Sequence, residues 1–290
     1  MEFVKMHGLG NDFIIVQEGQ ADLPAEKYAE AARRFCAPHW GIGADGLVLV
    51  GPDPEFDLRM RIFNADGSEA EMCGNAIRCV AKYAWEAGLC RKQGLRIGTL
   101  GGPREATLLT AGGRVTGVRV EMGRPVLAAA AIPVRAPESP VVGGKLAVAE
   151  REFTFTAVSM GNPHCVIEVD EAATFPVRQW GPLIEAHPLF PAKTNVEFVT
   201  VVDAHRVIMR VWERGVGETL ACGTGACATV VACALMGLTG RRVTVQLAGG
   251  DLLIEWSASD DHVYMTGGAT LVFTGRVDLN WQPGTEGREL

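Results

Sequence analysis

The chain lacks the features that direct a protein to nucleic acid or to a membrane. Of its 290 residues, 27 are Lys or Arg and 34 are Asp or Glu, so the formal net charge is −7, and no basic cluster exceeds two adjacent residues. Phosphate backbones and anionic lipids need basic patches. The start of the chain has no apolar signal-peptide core, and the longest apolar run, near Ala226–Met236, is too short to span a bilayer. We therefore expect a cytoplasmic protein that binds neither nucleic acid nor membrane.

Signatures of disulfides, metals and cofactors are also lacking. The eight cysteines are expected to be thiols, because no secretory signal accompanies them. Cys79 follows Cys73 at a spacing wider than the C-x₂₋₄-C of a zinc knuckle, and Cys222 and Cys227 would point to different faces of a helix. No nicotinamide, flavin or pyridoxal motif is visible. The sequence thus predicts neither metal nor cofactor. Six cysteines are interpreted as small core residues: Cys36, Cys79, Cys90, Cys165, Cys227 and Cys233.

The most informative stretch joins a strand to a helix through a glycine-rich turn. Its composition predicts a strand over 206–212 and a buried helix over 225–236. Cys222 lies where the helix begins, beside backbone N–H groups that have no partner within the helix. Such a position favours a thiolate and favours an anion bound next to it.

The same stretch occurs a second time, at a constant offset of 149 residues. Cys73 corresponds to Cys222, and Phe63 corresponds to Trp212. In the helix after Cys73, apolar residues such as Ile77 lie on one side and Arg78, Lys82 and Glu86 lie on another. Further upstream, Gly10-Asn11 has a counterpart in Gly161-Asn162. A repeat of this length predicts two half-domains of similar build.

A cysteine at a helix start is compatible with acyl transfer, with redox chemistry or with acid–base chemistry. Acyl transfer usually pairs one cysteine with one histidine, and redox cysteines usually lie two residues apart. Two cysteines at equivalent places favour a symmetrical reaction, in which a proton leaves one face of a carbon and another returns to the opposite face. An unperturbed thiol has a pKa of ~8.5, which suits either role.

Polar residues near both turns are candidates for holding a ligand. Backbone N–H groups of Gly74-Asn75 and Gly223-Thr224 would bind a carboxylate at the helix ends. Glu213 and Arg214 are either a surface pair or ligands of an ammonium and a second carboxylate. Asn11 belongs either to a plain hairpin turn or to a ligand-facing loop. Residues 125–144 are rich in Ala, Pro and Gly and are interpreted as a linker or crossover between the halves.

Five motifs spread over the chain resemble the diaminopimelate epimerases, a family of cofactor-independent enzymes that interconvert LL- and meso-2,6-diaminopimelate in lysine and cell-wall synthesis. The motifs are His7–Phe13, Phe63–Asn75, Met160–His164, Thr194–Asn195 and Glu213–Ala226.

The resemblance implies an α+β fold of two pseudo-symmetric halves, each a mostly antiparallel sheet or barrel wrapped around a central helix. The first half is expected over 1–122 with a returning strand over 264–276. The second half is expected over 123–263, followed by a loose tail over 277–290. The family forms homodimers, which the resemblance extends to this chain.

Roles carry over to the matching positions. By resemblance, the base and acid pair is Cys73 and Cys222. The carboxylate-binding turns are Gly74, Asn75, Gly223 and Thr224. The ligands of the reacting ammonium are Glu213 and the backbone of Arg214. The distal end of the substrate would be held by Asn64, Asn162, Asn195 and the side chain of Arg214. A further substrate contact is Asn11. The residues that modulate the thiol pKa values are His164 and Glu213.

Two departures and two alternatives accompany the resemblance. Some relatives carry glutamine where Gly46 stands, and the family usually has glycine where Ala76 stands. The fold would also suit a proline or hydroxyproline racemase or a single-base isomerase, although a monocarboxylate would not need the Arg214 clamp. A non-catalytic amino-acid-binding or redox-sensing protein would use the two cysteines as a reversible disulfide.

Overall fold

Eighteen β-strands and four α-helices form from residues 1–20 and 23–281, which the computed structural model describes. The chain divides into two compact units. The first comprises Met1–Val120 and the chain from Gly267 onward, and the second comprises Glu121–Thr266. None of the helices in the described residues is long and apolar enough to cross a membrane.

The first unit contains a sheet ordered β18-β1-β2-β3-β4-β6-β7-β8, with the short β5 beside β4. All neighbours are antiparallel except β2/β3 and β4/β6. Parallel neighbours need a crossover connection, and α1 and α2 provide these two. The elements are β1 Glu2–Gly8, β2 Asn11–Gln17, α1 Tyr28–Phe35, β3 Gly46–Gly51, β4 Leu58–Asn64, β5 Glu69–Ala70, α2 Gly74–Glu86, β6 Gly94–Gly98, β7 Arg104–Ala111, β8 Arg114–Glu121 and β18 Thr270–Arg276.

The second unit repeats this arrangement. Its sheet is ordered β9-β10-β11-β12-β13-β15-β16-β17, with β14 beside β13, and its parallel neighbours are β11/β12 and β13/β15. Helices α3 and α4 are the crossovers. The elements are β9 Gly144–Val148, β10 Arg151–Ser159, β11 Pro163–Glu168, α3 Val177–Glu185, β12 Asn195–Asp203, β13 Arg206–Glu213, β14 Gly217–Thr219, α4 Gly223–Leu235, β15 Arg242–Leu247, β16 Gly250–Trp256 and β17 Val263–Gly267.

One helix in each unit is buried against the inner face of its sheet. In the first unit α2 packs against β1, β2, β4 and β7, and in the second α4 packs against β10, β11, β12, β15 and β16. Small residues such as Ala76 and Ala226 let the strands approach both helices closely, and both residues are fully buried. The alanine at position 76 is therefore compatible with the helix start. The predicted class, α+β with a mostly antiparallel sheet around a central helix in each half, is confirmed.

The stretch interpreted as a linker packs on the second unit instead. Ala129, Ile132, Val134 and Val141 belong to its buried core cluster. The backbone of Val126 also pairs with Ser159 of β10. The linker interpretation was wrong because alanines and prolines here are not a flexible spacer; apolar side chains between them cover the sheet.

The end of the chain also differs from the expectation. The returning strand expected over 264–276 is two strands, β17 and β18, and only β18 belongs to the first unit, where it pairs with β1. The expected loose tail begins with packed residues: Val277, Leu279 and Trp281 contact the first unit's core, and Trp281 stacks on Phe35. Apolar burial thus orders residues 277–281, whereas 282–290 lie outside the described residues.

The contact between α3 and β13 gives a stability test. A Cβ atom at Gly181 would lie 2.5 Å from Cγ of Trp212, so Gly181→Ala must displace the indole. We expect a loss of ~1–3 kcal/mol in the free energy of unfolding, measured by urea denaturation, because overpacking outweighs the better helix propensity of alanine. Gly94→Ala is the control, since a Cβ there meets no atom within 4 Å. Equal stability of both variants would contradict the contact.

Candidate active site

Cys73 is the N-cap residue of α2 and has extended backbone angles, φ −143° and ψ 116°. The strand-turn-strand formed by β4 and β5 delivers it to this place. The N–H groups of Gly74 and Asn75 fall in the first turn, where donors lack partners within the helix. The Cys73 thiol donates to Oδ1 of Asn11 at 3.6 Å. The structure therefore brings three predicted site residues of the first unit, together with Asn11, to one helix end.

Asn11 is held in a fixed orientation by bonds at both ends of its amide. Its Nδ2 donates to Oδ2 of Asp45 at 2.7 Å, and its Oδ1 accepts from Nδ2 of Asn75 at 3.0 Å. The backbone N–H of Asp12 donates to the same Asp45 oxygen at 2.9 Å. The plain hairpin alternative is therefore insufficient, because this turn is bonded to the start of α2. Nothing in the sequence pattern indicated this role of Asp45.

Arg78 was assigned to a polar side of α2, but the structure buries it completely. Its Nη2 donates to Oδ1 of Asn75 at 2.8 Å, and its Nη1 donates to the carbonyl of Gly74 at 3.3 Å. Helical periodicity could not reveal this, because the guanidinium is satisfied by backbone and amide oxygens rather than by water. Arg78 thus supports the turn that carries Cys73.

Asn64 lies at the end of β4, opposite Gly46 of β3. Its Nδ2 donates to Oγ of Ser68 at 3.0 Å, and the residue is exposed. A Cβ atom at Gly46 would lie 3.0 Å from the carbonyl of Phe63, so a longer residue at that position would need the strand to shift. That Asn64 binds a ligand stays a prediction.

Cys222 is the N-cap residue of α4 and is 5% exposed. Its Sγ accepts from the backbone N–H of Gly225 at 3.3 Å and lies 3.5 Å from Oγ1 of Thr224. Gly223 and Thr224 occupy the first turn, as their counterparts do in the first unit. The predicted turn residues of the second unit are therefore together at one helix end.

Burial raises the pKa of the Cys222 thiol well above its ordinary value, and the carboxylates of Glu213 and Glu197 add to the rise. The bonds from Thr224 and Gly225 act in the opposite direction. A helix N-terminus contributes at most ~2 kcal/mol, or about 1.5 pKa units. The helix start thus lowers the pKa of Cys222 as expected, but desolvation outweighs this effect, so the net shift in this structure disfavours the thiolate.

Glu213 is partly buried, and burial raises the pKa of its carboxyl group. Its Oε1 accepts from the hydroxyl of Thr219, a contact that sequence analysis missed. Glu213 and Arg214 do not form the surface pair that was the alternative interpretation. Arg214 is exposed, and its Nη1 donates to the carbonyl of Ala192 at 3.0 Å.

Asn195 is 3% exposed and bonds to the chain with both ends of its amide. Its Nδ2 donates to the carbonyl of Pro163 at 2.8 Å, and its Oδ1 accepts from the backbone N–H of Arg214 at 2.9 Å. The bonds tie the turn after β13 to β11. That Asn195 contacts a ligand stays a prediction. In the structure its amide positions the backbone of Arg214.

His164 and Glu197 form a fully buried pair on adjacent parallel strands. Nδ1 of His164 lies 2.7 Å from Oε1 of Glu197, and Nε2 lies 2.9 Å from Oδ1 of Asn162. His164 and Asn162 are predicted site residues, whereas Glu197 is not among the predicted residues. A charged residue within the apolar run over 196–201 was the signal that could have identified it.

No group of three or more His, Cys, Asp or Glu residues in the described ranges has the geometry of a metal site. All eight cysteines are free thiols.

The fold places the chain in a structural class that includes epimerases and racemases. A hydroxyproline epimerase from Agrobacterium vitis, solved with bound trans-4-hydroxy-L-proline, matches with a TM-score of 0.70 at 18% identity over 96% of this chain and 90% of that one. A Bacillus anthracis phenazine biosynthesis protein of the PhzF family also matches with a TM-score of 0.70, at 17% identity over 96% and 99% of the two chains. At such identities the likeness concerns the fold alone.

The chain belongs to the diaminopimelate epimerase family. The family model matches residues 3–128 and 156–272. The diaminopimelate epimerase of Desulforudis audaxviator is 57% identical over 279 residues, covering 95% of this chain and 99% of that protein. The diaminopimelate epimerase of Moorella thermoacetica is 54% identical over 280 residues, covering 97% and 100%. The predicted resemblance is thereby confirmed.

The raised pKa of Cys222 predicts its reactivity in the absence of substrate. An unperturbed thiol, with a pKa of ~8.5, reaches its maximal alkylation rate above about pH 9. We expect the rate at Cys222 to keep rising beyond that pH, because its thiolate fraction is still small there. Limited access lowers the rate at every pH but does not change the shape of the profile.

The measurement is peptide-resolved mass spectrometry of initial iodoacetamide labelling from pH 7 to pH 10. The same peptide in urea-unfolded protein is the control and should level off at the ordinary thiol pKa. Identical profiles for folded and unfolded protein would contradict the raised pKa.

Proposed function

We propose that this chain inverts the α-carbon of 2,6-diaminopimelate without a cofactor, interconverting the LL and meso forms, with Cys73 and Cys222 as the two acid–base groups. The observation that carries the proposal is a pair of equivalent cysteines, each at the N-terminus of a buried helix, in a chain that is 57% identical to a diaminopimelate epimerase over 95% of its length. The product would serve lysine and peptidoglycan precursor synthesis.

The reaction needs one thiolate and one thiol in each direction. The thiolate takes the α-hydrogen as a proton and becomes a thiol, and the electron pair of the C–H bond passes to the carbanion. The second thiol then donates its proton to the opposite face and becomes a thiolate. The atoms and charges balance, and the two sulfurs have exchanged protonation states for the return direction.

The carbanion is stabilised by donors aimed at the substrate carboxylate. The first-turn N–H groups of Gly74, Asn75, Gly223 and Thr224 are such donors, and each preorganised donor can contribute ~3–4 kcal/mol as charge moves onto the oxygens. The reacting ammonium would donate to the Glu213 carboxylate and to the backbone carbonyl of Arg214. The distal amino-acid end would be held by the side chain of Arg214 and by asparagine amides, which both donate and accept.

Two further properties belong to the proposal. A cytoplasmic location suits an enzyme whose chemistry requires reduced thiols. A homodimer suits the terminal strand of the first unit's sheet, β18, where Leu271, Val272 and Phe273 are exposed in succession. Apolar terminal strands favour pairing with another chain, and a second copy is the occupant that we propose.

The function is tested by Cys73→Ala and Cys222→Ala. Each should lower kcat for diaminopimelate by at least ~10²–10⁴-fold, because a proton donor or acceptor is lost. Cys79→Ala on α2 and Cys233→Ala on α4 are matched controls that remove buried thiols from the same helices and should retain activity. In D₂O the product should carry deuterium at the inverted carbon. Turnover without solvent deuterium, or activity with proline instead of diaminopimelate, would contradict the proposal.

The dimer is tested by Val272→Glu. Light scattering should give about twice the 31.0 kDa chain mass for the wild type and the single-chain mass for the variant, because a charge would be buried at the interface. Val202→Glu in the second unit is the control, as both valines are 52% exposed. A monomeric wild-type protein, or a dimer that tolerates Val272→Glu, would exclude this interface.

A further inference from the structure

The pair formed by His164 and Glu197 is unusual because both side chains are completely buried and lie 2.7 Å apart. Burying a charged or strongly polar pair costs free energy that its mutual attraction often only offsets, so apolar residues of similar volume are frequently as stable. The second oxygen of Glu197, Oε2, has no hydrogen-bond partner in the described part of the chain. Stability alone therefore does not account for the pair.

The internal repeat shows what the fold itself requires at these positions. In β11 and β12, His164 is opposite Asn195, and Glu197 lies two residues further along. In β2 and β3 of the first unit, Phe13 is opposite Gly46, and the residue two further along is Val48. Phe13 and Val48 are buried apolar residues. The same strand positions are thus filled without any polar group, and the pair is a specific addition to the second unit.

The space for the Glu197 carboxylate is created at the start of α4. A Cβ atom at Gly225 would lie 2.7 Å from Oε1 of Glu197 and 3.2 Å from Sγ of Cys222, so glycine is needed there. The positive end of the helix dipole favours a carboxylate at this point. Three other titratable groups interact electrostatically with the pair: Cys165 on β11, Glu213 on β13 and Cys222 at the start of α4.

Glu197, His164 and Asn162 contact one another in series, and the carboxylate of Glu197 determines which atoms donate and which accept. A carboxylate accepts only, so Nδ1 of His164 donates to Glu197. The other ring nitrogen, Nε2, faces Oδ1 of Asn162 at 2.9 Å and donates to it. In this arrangement both ring nitrogens of His164 therefore act as hydrogen-bond donors. The amide of Asn162 is held with its oxygen toward the ring and its Nδ2 directed away.

We propose that Glu197 is a positioning residue that acts through His164 to fix the amide of Asn162 as a hydrogen-bond donor to the substrate. This inference rests on the proposed function, in which Asn162 contacts the distal end of diaminopimelate. A fixed Nδ2 selects a carboxylate at that point, whereas a reversed amide would present its oxygen and select an ammonium. Specificity for the distal group thus originates in a carboxylate that never touches the ligand.

The first experiment is steady-state kinetics of Glu197→Gln with diaminopimelate. Glutamine has the same shape but no charge, so the ring loses its second proton and Nε2 becomes an acceptor that turns the Asn162 amide over. A lost bond to a charged ligand group should raise KM by tenfold or more and leave kcat within about threefold, because distal binding is uniform between ground and transition state. Glu218→Gln is the control, since it removes a carboxylate paired with Arg178 and Arg210. It should leave KM unchanged.

The second experiment reads the ring directly in the wild-type protein without substrate. Nitrogen-15 NMR of histidine-labelled protein, with the His164 signals assigned by His164→Gln, should show two protonated ring nitrogens at neutral pH. Glu197→Gln should show one. This measurement does not depend on turnover, so it still decides the positioning role if the wild type fails to epimerise diaminopimelate and the proposed function falls.

Each result bears on the proposal. A raised KM with a doubly protonated wild-type ring supports it. A neutral wild-type ring, an unchanged KM in a folded Glu197→Gln protein, or a fall in kcat without a rise in KM would overturn it. If the variant does not fold, the protonation state of the wild-type ring still supports or overturns the positioning role.

Discussion

The position of a cysteine at the first turn of a buried crossover helix is the constraint on which the rest depends. Parallel strands need a crossover, and each unit buries one of its crossovers, α2 or α4, against the sheet. A buried helix end has N–H groups that must find partners, and here the thiol of Cys222 accepts one of them. The first turn of the buried crossover helix therefore belongs both to the fold and to the candidate site, so moving this turn would alter both.

Burial sets the chemistry of that position as much as the helix end does. Desolvation raises the pKa of both Cys222 and Glu213, so burial shifts each of these two groups toward its uncharged form. An anionic ligand at the first turn would have to be matched by the backbone donors and by the substrate ammonium. Binding of such a ligand would change the pKa of the nearby thiol, so ligand binding and proton transfer are coupled. A thiol that acts as an acid and a base needs this coupling.

The two units show how one scaffold diverges around equivalent cysteines. Where the second unit has His164 and Glu197, the first has apolar side chains, and where the first has the buried Arg78, the second has Cys227 at the same helix position. Strand order and crossovers are retained, whereas the buried polar groups are not. The repeat thus preserves the backbone that delivers each cysteine and varies the groups that surround it.

The sequence alone determined the repeat and the two cysteines at helix starts, because local spacing and glycine placement encode a strand-turn-helix. The fold class and the family followed from the resemblance of its motifs to a known family. Only the tertiary structure decided that Arg78 and Glu197 are buried, that residues 125–144 cover the second unit, and that Cys222 is shielded from water. These depend on which surfaces meet after folding. A charged residue looks solvent-exposed in a linear pattern until its hydrogen-bond partners, which lie on other strands, are known.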